Sequence, residues 1–113
     1  MENKKYKVVI ALSAKQDVEE KKKYILHQFK YREYAESFSK KIKKAILELE
    51  IFPVGYNTIG FGYRGYDIYM KPCESYLIFY TVDEANRTVT VLRVMQDGMD
   101  WQYIVRRWLK ENE

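Results

Sequence analysis

The hydrophobic pattern of the chain changes its period once, and this change restricts the fold to a combination of helices and strands. In residues 14–49 apolar side chains recur every three or four positions, as they do on one face of an α-helix. In residues 66–95 they form short runs rich in β-branched and aromatic residues, which are typical of strands. The sequence therefore predicts an α+β domain with its helices and its strands in separate parts of the chain.

The predicted elements follow one another without an internal repeat or a linker. A β-branched apolar run at 6–12 predicts the first strand, and Ser13 to Gln16 fits a capping box that would start the first helix. The two early helices should form a hairpin, and the three late strands an antiparallel meander. In chain order we predict a strand at 6–12, helices at 14–29 and 31–49, strands at 66–71, 76–82 and 88–95, and a helix at 100–110.

Proline and glycine mark the interruptions between these elements. Residues 52–65 contain Pro53 and four glycines, too many for a regular element, so this segment is predicted to be the longest loop. Pro72 is predicted to break the strand that precedes it, and Asp100 to cap the last helix. The helices should cover one sheet face, which leaves the other face partly bare for a partner or a substrate.

Length and composition exclude several classes of protein. The 113 residues are enough for one domain, 1–113, and the formal net charge of +4 suits an acidic partner or a polyanion. His27 and Cys73 are the single His and the single Cys, so they cannot build a zinc site of about four ligands, and we expect no metal and no cofactor. The apolar run at 8–12 is too short for a signal peptide or a membrane span, so we expect a cytoplasmic protein without membrane contact.

The late strands carry a resemblance to a known family. Residues 76–84 combine a paired aromatic strand with an acidic turn, residues 88–95 follow with a Leu-Arg-Val strand, and Asp100 and Trp101 come next. Together with Phe52 and Pro53 after the second helix, these segments resemble the RelE/ParE superfamily of type II toxins, which includes plasmid stabilisation proteins. The resemblance covers roughly the whole chain. It implies an amino-terminal strand and a helical hairpin packed on an antiparallel sheet, with a short terminal helix.

The resemblance implies growth inhibition by one of two mechanisms. One branch of the superfamily cuts messenger RNA in the ribosomal A site, and the other inhibits DNA gyrase without hydrolysis. It also implies a cognate antitoxin whose carboxyl-terminal segment wraps the toxin, with promoter DNA bound only through that antitoxin. A disordered acidic segment that folds on contact would suit the basic charge. We expect its apolar side chains to bind near five tyrosines: Tyr24, Tyr31, Tyr34, Tyr69 and Tyr80.

The basic residues of the nuclease branch are mostly absent at matching positions. RNA cleavage without a metal requires side chains that activate the 2′-hydroxyl, stabilise charge at phosphorus and protonate the leaving oxygen. Asp67 and Tyr69 occupy positions where the branch has lysines, and Leu77 occupies the position of an arginine. Past the last strand, the catalytic arginine of the branch is replaced by Gln96 or Asp97.

A reduced nuclease set remains possible from the sequence. Besides Arg64, it would consist of Lys71, Arg93 and Tyr103. Each also has a structural interpretation: Arg93 as a strand residue that supports the fold or faces a partner, and Tyr103 as a ring that packs the terminal helix onto the sheet. The leading hypothesis is a ParE-like toxin that acts on gyrase. The alternatives are a RelE-like messenger RNA endonuclease and a degenerate toxin that only binds its partner.

Overall fold

The computed structural model describes residues 5–112 and contains five strands, three α-helices and two short 3-10 segments. The order of elements predicted from the sequence is confirmed except for one additional strand. The elements are β1 (Lys7–Ile10), α1 (Leu12–Phe29), α2 (Arg32–Leu47), the 3-10 segments Glu48–Glu50 and Pro53–Gly55, β2 (Asn57–Tyr63), β3 (Tyr66–Cys73), β4 (Tyr76–Asp83), β5 (Thr88–Gln96) and α3 (Trp101–Asn112).

The strands form one mixed sheet in the order β1-β5-β4-β3-β2. Strands β2 to β5 are joined as an antiparallel meander, as predicted, whereas β1 pairs in parallel with β5, with Val8 opposite Val89. The predicted antiparallel sheet is thus confirmed for β2 to β5, and β1 is added to it as a parallel strand at one edge. The α1–α2 hairpin lies between β1 and the rest of the sheet in the chain, and a long connection of this kind is what a parallel neighbour requires.

Alternate residues of the sheet pack into two cores, one on each face. On β4, Ile78 packs into the core under α1 and α2, and the next residue, Phe79, packs into the core under α3. The second face, predicted to be partly bare, is covered in part by α3, which inserts Val105 and Leu109 into that second core. Strand β4 is consequently buried along both faces between its two end residues.

The connection between the two long helices is a tight turn. Lys30 ends α1 in the left-handed conformation with a φ of 60°, and its N–H donates to the Leu26 carbonyl at 2.8 Å. This is the geometry of a helix C-cap, which glycine adopts most easily but other residues can also adopt. The predicted hairpin is confirmed, and its turn presents the beginning of α2 beside the end of α1.

The prediction of a loop at 52–65 is wrong, because residues Asn57–Tyr63 form strand β2. Its glycines mark an irregular edge strand, with a register shift between Thr58 and Gly62 and a φ of 91° at Gly60. A Cβ at Gly62 would overlap the Tyr66 carbonyl oxygen, so a residue without a side chain is needed there. Glycine inside a strand often marks a bulge or a close backbone approach, and here it marks both.

Two smaller predictions at element ends are also wrong. Helix α1 begins at Leu12, before the proposed capping box, and the Ser13 hydroxyl donates to the Leu92 carbonyl at 2.7 Å instead of capping the helix. Strand β3 continues through Pro72, which pairs only with Leu77 of β4 because β2 is paired no further than Met70. A proline is tolerated where no neighbouring strand needs its missing N–H.

The terminal helix begins as predicted. The Asp100 carboxylate accepts a hydrogen bond from the Tyr103 N–H at 3.3 Å, which confirms Asp100 as a cap of α3. Trp101 in the first turn lies 5.3 Å from the Phe79 ring, so the start of the helix is attached to the middle of the sheet. None of the helices within residues 5–112 is long and apolar enough to cross a membrane.

Candidate functional site

Arg93 forms a two-point ion pair that joins the sheet to helix α1. Its Nε and Nη2 donate to the two carboxylate oxygens of Asp17 at 2.7 and 2.8 Å. The backbone N–H of Val94 donates to the same carboxylate at 2.9 Å. Only 19% of the Arg93 side chain and 13% of the Asp17 side chain are exposed. The Nε and Nη2 groups along one edge of the guanidinium are thus both bound to Asp17, which ties β5 to α1.

Lys71 is a buried lysine whose side chain binds the carboxyl-terminal end of α2. Its side chain extends from β3 towards that helix, and the residue is 4% exposed. Nζ donates to the Ala45 carbonyl oxygen at 2.7 Å and to the Glu48 carboxylate at 2.8 Å. The ammonium group lowers the pKa of Glu48 below its ordinary value, through the hydrogen bond first and through its charge second. A cation at the end of a helix also stabilises the helix dipole.

Tyr103 lies apart from these two cations. It is exposed on α3, which packs on the sheet face opposite α1 and α2. Tyr103 lines a groove of about 690 Å³ together with Phe61 of β2 and with the basic side chains Arg106, Arg107 and Lys110. The Arg106 guanidinium lies over the Phe61 ring at 4.3 Å. The structure therefore does not bring Lys71, Arg93 and Tyr103 together into one cluster.

The five tyrosines expected at the antitoxin interface divide into two groups. Tyr24, Tyr31 and Tyr34 are exposed at the end of the hairpin where α1 meets α2. The rings of Tyr31 and Tyr34 meet edge to face at 5.9 Å, and Phe29 makes the same kind of contact with Tyr34 at 5.5 Å. We call Phe29, Tyr31 and Tyr34 the hairpin-tip cluster. Apolar rings that are exposed side by side are typical of a protein interface.

Tyr69 and Tyr80 lie on the sheet. The prediction that Tyr80 contacts the antitoxin is corrected by its burial. Their rings stack at 5.4 Å, but Tyr80 is fully buried and its hydroxyl donates to the Pro53 carbonyl at 2.5 Å. Burial raises the pKa of Tyr80 well above its ordinary value of 10.0. Tyr69 is half-buried beside it. Tyr80 therefore anchors the 3-10 segment at Pro53 and is not available to a partner in this conformation.

The remaining nucleophile and base candidates do not assemble a site. His27 is exposed on α1, whereas Cys73 is half-buried at the end of β3, with its thiol 3.8 Å from the Lys41 carbonyl. Burial raises the pKa of Cys73 above its ordinary value of 9.0, which disfavours the thiolate form that a nucleophile requires. Within residues 5–112 no three His, Cys, Asp or Glu side chains are grouped so that they could hold a metal ion.

The two acidic residues that bind Lys71 and Arg93 could not be predicted from the sequence. Asp17 and Glu48 were not distinguished from the other acidic residues of the helices, because Asp17 is 76 positions from Arg93 and Glu48 is 23 positions from Lys71. A local pattern cannot indicate such a pairing. The one available signal was the position of Asp17 among the apolar residues Ala14 and Val18 of α1.

A family model decides the identity. The model described as the ParE toxin of the type II toxin-antitoxin system, parDE, matches residues 8–101. The chain belongs to this family. The match begins at the second residue of β1, continues through β5 and ends at the first residue of α3. The protein is therefore a toxin of a type II toxin–antitoxin system.

Solved structures with the same fold come from related systems. The toxin–antitoxin complex RelBE2 of Mycobacterium tuberculosis contains a chain with 17% identity and a TM-score of 0.56, and the match covers 86% of this chain and 97% of that one. The archaeal RelE–RelB complex of Pyrococcus horikoshii OT3 contains a chain with 18% identity and a TM-score of 0.52, and the match covers 84% and 98%. These structures confirm the RelE/ParE fold. No curated protein sequence is significantly similar to the chain.

Proposed function

We propose that this ParE-family toxin inhibits growth by binding a target protein, without hydrolytic chemistry, and that the target is DNA gyrase. The observation that carries the proposal is the engagement of Lys71 and Arg93 in contacts that hold the fold together. Lys71 is bound to Ala45 and Glu48, and Arg93 is bound to Asp17 through its Nε and Nη2. Two of the three side chains that a nuclease would require are thus already engaged.

The chemistry of RNA cleavage explains why this engagement supports the proposal. A metal-independent nuclease needs cations that reach the phosphate and a group that transfers a proton at the same phosphate. A lysine that is 4% exposed cannot reach an RNA phosphate unless the end of α2 opens. Removing Arg93 from Asp17 would leave a carboxylate that is 13% exposed without its counter-charge, which is unfavourable in a protein interior.

The second candidate function is a ribosome-dependent messenger RNA endonuclease with a different set of residues. The groove beside Tyr103 favours it, because Arg106, Arg107 and Lys110 line the same surface and could bind phosphates. The groove lacks the second proton-transfer group, since its other side chains are Phe61 and Leu109. This composition supports binding of an anion more than it supports cleavage.

A host experiment distinguishes the candidates. The toxin would be expressed under a regulated promoter in a bacterial host, and the 5′ ends of messenger RNA would be mapped during growth arrest. We expect arrest with intact messages, for the wild type and for Tyr103→Phe alike. New ends at A-site codons that disappear in Tyr103→Phe would contradict the proposal and establish the nuclease. Normal growth at full expression would instead indicate a degenerate toxin that only binds its partner.

We also propose that a cognate antitoxin binds at the hairpin-tip cluster. The related solved structures are complexes of RelE-type toxins with their antitoxins, and the cluster exposes Tyr31 and Tyr34 beside Phe29. The protein encoded by the neighbouring reading frame is the natural partner to test. Tyr31→Ser with Tyr34→Ser should weaken its binding at least about tenfold, because each buried aromatic contact contributes about 1–3 kcal/mol. Tyr103→Ser, equally exposed but on α3, is the matched control.

A further inference from the structure

A cleft lies between the two long helices and the strands β1 and β5. It encloses about 330 Å³. Its walls are mostly aliphatic, and all four elements contribute to them: Ile10, Ala14, Val18, Ile42, Ile46 and Val94. We call it the hairpin cleft. A concave apolar space with a small number of polar groups is the usual form of a binding site for a small molecule.

Ser39 adds an unpaired hydroxyl to these aliphatic walls. It lines the hairpin cleft, and the residue is only 9% exposed. A serine inside a helix commonly donates its hydroxyl to the carbonyl four residues before it. Among residues 5–112 the Ser39 hydroxyl has no such partner and no other hydrogen bond. It is therefore available to a ligand, and a buried hydroxyl that gains a partner is stabilising.

The charge around the hairpin cleft is positive. Three lysines line it, Lys15, Lys22 and Lys43, against one acidic side chain, Glu19. Glu19 is bound to Lys22 at 3.6 Å, whereas Lys15 and Lys43 take part in no ion pair within the part of the chain that the structure describes. Lys43 follows Ser39 by four positions on α2, so the two side chains are neighbours on the helix surface.

From these observations we propose that the hairpin cleft is a binding site for a medium-chain fatty acid. The alkyl chain would lie against the aliphatic walls, and the carboxylate would accept hydrogen bonds from the Ser39 hydroxyl and the Lys43 ammonium group. A cavity of about 150 Å³ is large enough for benzene, so the cleft suits a ligand of roughly ten non-hydrogen atoms, such as octanoate. This site does not depend on which target the toxin inhibits.

Other ligands match the hairpin cleft less well. A fatty alcohol would fill the apolar space but would leave Lys15 and Lys43 without a counter-charge. A nucleotide or a sugar phosphate would bring many polar groups against aliphatic walls that offer one hydroxyl, and unpaired polar groups are costly to bury. A phospholipid carries two longer acyl chains, which exceed the volume of the cleft. Phospholipid is nevertheless included in the experiment, because its acyl chains and anionic headgroup share the chemistry of a fatty acid.

The test is isothermal titration calorimetry of the full-length toxin with hexanoate, octanoate and octanol. Each additional buried methylene should raise the affinity about fourfold, so octanoate should bind about fifteenfold more tightly than hexanoate. Octanol should bind at least about tenfold more weakly than octanoate, because it lacks the charge-assisted hydrogen bonds. Added salt should weaken the binding of octanoate but not that of octanol.

Four variants and one matched control locate the site. Ser39→Ala and Lys43→Glu should each weaken octanoate binding at least about fivefold, through the lost hydrogen bond and the reversed charge. Lys23→Glu, at an exposed lysine of α1 outside the cleft, should change it less than about twofold. Val18→Trp should block the cleft and abolish binding, whereas Val54→Trp, at an exposed position elsewhere, should preserve it. Circular dichroism would verify that each variant is folded.

Three results would overturn the proposal. The first is the absence of saturable octanoate binding below about 1 mM. The second is equal affinity of Ser39→Ala, Lys43→Glu and the Lys23→Glu control, or equal affinity of the wild type for octanol and octanoate, since the carboxylate would then not be recognised. The third is binding to vesicles of phosphatidylglycerol that is tighter than binding to octanoate and is lost in Val18→Trp, which would assign the cleft to a membrane lipid.

Discussion

The ion pair between Arg93 and Asp17 allows a quantitative test of whether Arg93 supports the fold. The perturbations are Arg93→Ala, Asp17→Asn and the double variant. Arg93→Ala removes the two hydrogen bonds to Asp17 and leaves that carboxylate, 13% exposed, with the Val94 N–H as its remaining donor. Asp17→Asn keeps the shape of the side chain and an acceptor for Val94 but removes the charge.

The expected magnitude follows from the burial of the pair. Truncating one partner of a fully buried pair costs about 3–5 kcal/mol, whereas an exposed pair contributes less than about 1 kcal/mol. With side chains 19% and 13% exposed, the Arg93–Asp17 pair lies closer to the buried case. We therefore expect Arg93→Ala to lower the free energy of unfolding by about 2–3 kcal/mol and the melting temperature by about 10 °C.

The assay is urea unfolding of the purified variants, monitored by the fluorescence of Trp101 and Trp108 on α3. In a double-mutant cycle the double variant should be destabilised by less than the sum of the two single variants, with a coupling energy of about 1.5–2 kcal/mol. Additive effects, with coupling below about 0.5 kcal/mol, would refute the reasoning. So would an Arg93→Ala variant that unfolds like the wild type but has lost toxicity, since that combination indicates a role in a reaction.

Four further variants test other contacts. Lys71→Met keeps the buried stem but loses the bond to Ala45, and we expect it to destabilise the protein by about 1.5 kcal/mol in thermal unfolding, without new RNA ends in the host. Tyr80→Phe should cost about 1 kcal/mol at neutral pH through the bond to Pro53. Because the pKa of Tyr80 is raised in the folded state, stability should fall as pH rises above about 10, and Tyr80→Phe should flatten that fall. Gly62→Ala should lower the free energy of unfolding by about 1–3 kcal/mol, because the added Cβ would meet the backbone of Tyr66. Gly55→Ala should lower it by less than about 1 kcal/mol, because its Cβ would meet only the Phe52 ring, which can move.

The sequence predicted the parts of the fold that depend on local periodicity. The apolar stripe of α2 and the aromatic and β-branched runs of β4 and β5 each extend over most of an element, so tertiary context did not override them. The segment around Gly62 was predicted wrongly because glycine usually interrupts regular structure. In this protein its missing side chain allows β2 to approach Tyr66 closely. The choice between these two roles depends on the neighbouring strand, which a local pattern does not contain.

The candidate site was less predictable because it depends on contacts between distant residues. The resemblance selected Lys71 and Arg93 as possible catalytic groups from their positions alone. Lys71 is bound by Glu48 at the end of α2, and Arg93 is bound by Asp17 of α1. These contacts between distant residues set the roles of the two cations. The exposed tyrosines of the hairpin were easier to predict, because a tight turn between two amphipathic helices leaves little room to bury three large rings.

Inhibition of gyrase is tested by DNA supercoiling with the purified enzyme in the presence of the purified toxin. We expect the toxin to block supercoiling at a concentration close to that of the enzyme, and Tyr103→Phe to be as potent as the wild type. Full supercoiling activity at a large excess of folded toxin, together with cleavage of messenger RNA on purified translating ribosomes, would contradict this expectation.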